Sequence, residues 1–103
     1  MGGAARAKPQ RLAKKLYYIR QALGITQQVM VEELGFSSEI ARSNITRFEQ
    51  GNREPSLLIL LAYARLANVS TDVLIDDDLD LPTTIPSPYP YGAQSKSKSR
   101  PSS

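Results

Sequence analysis

The sequence predicts an all-α domain with five short helices, on three observations. Apolar residues recur at three- and four-residue steps, as in Leu12, Leu16, Ile19 and Leu23. Gly24, Gly35 and Gly51 close successive periodic segments, the usual place for a glycine just past a helix end. Thr26, Ser56 and Ser70 stand where the next segments open, and all three are helix-capping residue types.

Residues 1–9 are small and basic and end in Pro9, so they are expected to form a flexible arm. The compact part is expected to span residues 10–80. Its first helix carries the Leu12–Leu23 stripe, with Lys14, Lys15 and Arg20 between the apolar positions. Thr26 then caps a second helix whose buried stripe is Met30, Val31 and Leu34. A third helix is expected from about Arg42 to Gln50. A fourth, "SLLILLAYARLAN", opens at Pro55 and Ser56 and stops at Asn68, and a short fifth follows Ser70. Residues 81–103 are rich in Pro and Ser and offer little to bury, so a disordered tail is expected there.

Composition narrows the chemistry. The 103 residues give room for one small domain, expected to carry no separate ligand-sensing module. With neither Cys nor His, disulfides, the usual zinc ligand sets, thiol nucleophiles and the commonest general base are all missing. No enzyme and no cofactor or metal is therefore expected. The N-terminus lacks a signal-peptide apolar run, and no segment is long enough to span a bilayer, so a cytoplasmic protein is expected. The net charge of +3 is unevenly spread: residues 1–31 hold six Lys or Arg and no acid, whereas 76–80 read "DDDLD". Such asymmetry suits a protein that turns one side toward an anionic partner.

The stretch "ITRFEQGNREPS" sharpens this reading. Glu49 lies in an apolar run, where a carboxylate is costly unless something pairs with it. Taken in order, "R-x-x-x-G-I-T-Q", "M-V-x-x-L-G", "I-T-R-F-E-x-G-x-R-x-P-S" and "N-V-S-x-x-x-L" resemble the Cro and lambda-repressor-like helix-turn-helix family, also called the xenobiotic-response-element family. The resemblance runs from about Leu12 to Leu74.

It implies a DNA-binding domain and assigns residues to roles. Arg20 and Glu49 match the family's structural ion pair. Gln27, in the first turn of the second helix, matches its phosphate contact, where the helix N-terminus adds free N–H groups. The base-reading positions fall on Arg42, Ser43 and Arg47, with Asn44 and Thr46 as neighbours; an arginine forks onto a guanine edge. Gln50, Asn52 and Arg53 are expected on the backbone, and Lys14 and Lys15 on flanking phosphates.

Two features depart from the family pattern. Nine residues separate Gly35 from Ile45, about four more than the pattern expects. Either the turn is a longer loop with Phe36 or Ile40 tucked inward, or the third helix starts one turn early at Ser38. Val31 also replaces the small residue usual at the contact between the two helices. In addition, "LLILLAYA" is apolar nearly all round, and Leu57, Leu58, Ile59 and Leu61 are candidates for a dimer face. "DDDLD" lacks calcium-loop spacing and is expected to be a solvated helix end.

Taken together, these readings predict a transcriptional regulator that binds duplex DNA in the major groove, as a homodimer on a palindromic operator. An antitoxin or adaptor, gripping a protein partner through the tail or the fourth helix, is the rival on the same fold.

Overall fold

The computed structural model describes residues 8–85, and the described residues form five helices and no strand. They are α1 (Leu12–Leu23), α2 (Gln27–Leu34), α3 (Arg42–Gln50), α4 (Leu57–Ala67) and α5 (Thr71–Ile75). The expected boundaries hold for local chemical reasons. Thr26 accepts a hydrogen bond from the Val29 N–H, and Ser56 accepts one from the Ile59 N–H, so each satisfies an orphan donor at a helix start. Ser70 precedes α5 but makes no side-chain cap bond. At the far end of α3, Gly51 turns left-handed at φ 79°, and the Asn52 N–H bonds back to the Arg47 carbonyl at 2.9 Å. A side chain at that position would be strained by the backbone conformation alone.

All five helices share one core. Leu16 and Ile19 of α1, Met30 of α2, Ile45 of α3, Tyr63 of α4 and Leu74 of α5 are completely buried. Burying each such side chain contributes about 1.5–3 kcal/mol before conformational entropy is counted. α3 packs on both α1 and α2, which fixes its outward face relative to the start of α2.

The segment between α2 and α3 is a loop. The Glu39 and Ile40 N–H groups both donate to the Phe36 carbonyl, at 2.8 and 2.9 Å, closing an isolated turn that does not run on into α3. Phe36 and Ile40 pack against the core, so the four extra residues are anchored by both of the apolar side chains that flank the turn. Val31 is 2% exposed and belongs to the shared core.

Three expectations are corrected. First, the fold runs past residue 80: the Tyr18 hydroxyl donates to the Thr83 carbonyl, Leu81 is half-buried and Ile85 is 6% exposed. The remainder of the expected tail, 86–103, and the first seven residues of the expected arm lie outside the described residues. Second, Ile59 cannot belong to an outer face of α4, because it is 5% exposed in the core, and Leu61 is half-buried. Leu57 and Leu58, 82% and 63% exposed, carry that face instead.

Third, the acidic run is more than a solvated end: it stays largely exposed, and it also clasps the start of α1. Asp77 accepts hydrogen bonds from the Gln10 and Arg11 N–H groups at the start of α1, and Asp80 pairs with the Arg11 side chain. These donors hold the Asp77 carboxyl below its ordinary pKa, and the Arg11 hydrogen bond does the same for Asp80.

Candidate nucleic-acid interface

The site is built from the end of α1 outward. Arg20 lies one turn before the end of α1, and its guanidinium meets the Glu49 carboxylate of α3 in a forked arrangement. Nε donates to Oε2 at 2.7 Å and Nη2 to Oε1 at 3.1 Å. Nη1 donates to the Ile25 carbonyl at 3.0 Å, so each branch of the fork has a partner. The side chains are 12% and 6% exposed, and the Glu49 hydrogen bond raises the Arg20 pKa above its usual value. This is the pair the resemblance implied, and it resolves the cost of a carboxylate beside Ile45 and Phe48. Beneath it Tyr63 is fully buried; burial, reinforced by Glu49, pushes its phenol above the ordinary tyrosine pKa.

The same carboxylate reaches α2. Gln27 Nε2 donates to Glu49 Oε1 at 3.2 Å, while Gln27 Oε1 accepts from the Thr46 hydroxyl at 3.0 Å. The first turn of α2 is thereby tied to the middle of α3. Neither the ion-pair motif nor the spacing of the third helix foretold the Thr46 bond.

On the outward side of α3, Arg42, Ser43 and Arg47 are exposed, and Gln50, Asn52 and Arg53 continue the polar surface past Gly51. Asn52 Nδ2 donates to Gln50 Oε1 at 3.1 Å, which links these two exposed amides. Lys8 shares a shallow polar recess with Asn52 and Arg53. Two expected base-contact residues point to local structure. Asn44 is half-buried and its Oδ1 accepts from the Ala41 N–H, which caps the start of α3. Thr46 is half-buried with its proton given to Gln27.

Lys14 is exposed, as a phosphate contact requires, but Lys15 is not. Lys15 is 4% exposed, and its ammonium donates to the carbonyls of Val73, Asp76 and Leu79 at 2.7–3.0 Å. Those three acceptors use all of its protons, so the expectation that Lys15 reaches a phosphate is wrong. Burial, together with the nearby Arg11 charge, lowers its pKa. The sequence held a signal for this: Lys15 lies three residues after Leu12 and four before Ile19, on the buried stripe.

Comparisons with known proteins agree with this architecture. Residues 16–74 match the family model described as helix-turn-helix. The HTH-type transcriptional regulator ImmR of Bacillus subtilis (strain 168) is 37% identical over 67 residues, which cover 65% of this chain and 50% of that protein. The chain thus spans half the length of that relative. The P22 c2 repressor, solved in complex with a synthetic operator, superimposes with a TM-score of 0.57 at 24% identity, over 65% of this chain and 96% of that one. At that identity the likeness speaks for the fold.

Proposed function

Because the chain belongs to the helix-turn-helix family, we propose that it binds duplex DNA in the major groove and regulates transcription. One observation carries the reading. α3 is locked to α1 and α2 through Glu49 while Arg42, Ser43 and Arg47 stand free on its outer face, beside Gln27 at the N-terminus of α2. A rigid helix with exposed arginines can enter a groove in one register, and a helix start with a neighbouring amide can take a backbone phosphate.

In this reading Arg42, Ser43 and Arg47 contact base edges. Gln27, Gln50, Asn52, Arg53 and Lys14 contact the backbone, with Lys8 close to the same strand. ImmR is named a transcriptional regulator and the P22 c2 repressor was solved on operator DNA, which supports a regulatory role here. The protein is read as a DNA-binding regulator and not as an enzyme, acting in the cytoplasm on the nucleoid.

Leu57 and Leu58 form an exposed apolar face on α4, and a second copy of the chain is the occupant that a two-fold operator requires. An antitoxin or adaptor role would place a different protein on that face. Selection of bound sequences from a random duplex pool tests the reading. Enrichment of a palindromic, guanine-containing site is expected. A pool that stays random, together with stoichiometric capture of another protein, would favour the rival.

A further inference from the structure

We propose that Thr46 is a positioning residue for Gln27, holding its amide in one orientation for a phosphate. The proposal rests on the DNA-binding reading above, and the argument is one of donor and acceptor chemistry. A side-chain amide can turn over, exchanging its oxygen and nitrogen, unless its surroundings distinguish them. Ionised Glu49 accepts and cannot donate, so the amide nitrogen of Gln27 must face it, at 3.2 Å. The amide oxygen then faces Thr46, whose hydroxyl must donate, at 3.0 Å.

The alternative acceptor for that hydroxyl is the Arg42 carbonyl within the same helix, at a longer 3.4 Å. Arg20 holds the Glu49 carboxylate in turn, with bonds of 2.7 and 3.1 Å. Donation therefore converges on Glu49: Arg20 donates to it from one side, and on the other Thr46 donates to Gln27, which donates to Glu49. This leaves Gln27 a single N–H, uncommitted among the described residues, at the first turn of α2.

Two consequences distinguish this from a base contact by Thr46. Loss of the hydroxyl should weaken specific and random DNA equally, because a phosphate carries no sequence information. The loss should also disappear once Gln27 has no amide to orient.

The test measures affinities of wild type, Thr46→Val, Gln27→Ala and the double variant for a selected and a random duplex. Side-chain amide NMR of Gln27 and thermal melting accompany the binding data. Thr46→Val keeps the branched shape and is expected to weaken both duplexes by about three- to tenfold, the worth of roughly one hydrogen bond. In the Gln27→Ala background the effect should shrink below about twofold, a failure of additivity. The Gln27 amide resonances should lie away from free-glutamine positions and exchange slowly with water in wild type, and should move to free-glutamine positions with faster exchange in Thr46→Val. Thr46→Ser should restore both the affinity and the amide signals.

A loss confined to the selected duplex, an equal loss in both backgrounds, or an unchanged Gln27 amide would each overturn the proposal. If wild type binds no duplex, the DNA reading itself fails and the phosphate role falls with it. The amide spectra tell that failure apart from one in the hydrogen-bond chain.

Discussion

Replacing Glu49 with alanine strands the Arg20 guanidinium in a site where it is 12% exposed. The variant removes both arms of the fork and also the acceptor for Gln27 Nε2, leaving Arg20 with the Ile25 carbonyl. Breaking a mostly buried pair from one side costs about 3–5 kcal/mol, chiefly because the surviving charge stays desolvated. For a domain of this size each kcal/mol moves the melting temperature by roughly 4–8 °C, so a fall of about 12–40 °C is expected. Arg20→Ala should cost a similar amount for the mirror-image reason. Removing both leaves no charge stranded, and the double variant should be less destabilised than the sum of the singles by about 1.5–3 kcal/mol. Urea unfolding followed by circular dichroism supplies all four free energies. Should Glu49→Ala prove too unstable for a baseline, Glu49→Gln, which keeps one acceptor oxygen, closes the same cycle. Additivity within about 0.5 kcal/mol would refute the reasoning, since an independent pair of surface charges behaves that way.

Three other outcomes follow from the structure. Lys15→Met should destabilise the fold by about 2–3 kcal/mol, because the Val73, Asp76 and Leu79 carbonyls lose their shared donor. The DNA affinity of the folded fraction should not change, and a flatter salt dependence would return Lys15 to the phosphates. Leu58→Lys should give a soluble monomer with weaker operator binding; a wild type that sediments as a monomer at high concentration rules out the dimer face. The folded-state pKa of Asp77 is depressed, so its contribution is complete above about pH 4 and is lost as the pH falls through the depressed value. Asp77→Asn should accordingly lose less stability than wild type between neutral pH and pH values below about 3, as read by melting temperature. An identical acid response in the two proteins would leave Asp77 no part in the clasp.

Much of this is legible in the sequence, because short-range chemistry decides it. Thr26, Ser56, Gly51 and Asn68 each announce a helix end through their own backbone or side-chain preferences, and all four ends are where they were expected. The Arg20–Glu49 pair was legible through motif resemblance, since two residues 29 apart in sequence give no local sign of meeting.

What stayed open was decided by tertiary packing. Phe36 and Ile40 are four residues apart, a spacing equally at home on a helix face or astride a turn, and only the shared core selects the turn. α4 is apolar nearly all round, so periodicity does not reveal that Ile59 points in and Leu58 out. Lys15 was misread because charge outweighed position: its place on the α1 stripe shows burial, but its carbonyl partners come from 58 or more residues away. Ile85 is one apolar residue after a Pro- and Thr-rich stretch, too little to mark an anchor by pattern.

The central claim is that the exposed face of α3 reads bases while the start of α2 and the segment after α3 hold the backbone. The most direct measurement is the ratio of affinities for a selected duplex and a random duplex, in wild type, Arg42→Ala and Arg47→Ala. A bidentate arginine–guanine contact discriminates by about 1–3 kcal/mol, so each variant should lose that much of the ratio, with relaxed preference at one base pair per half-site. Equal losses on both duplexes would contradict the claim, because they would make both arginines backbone contacts and leave α3 without a reading face.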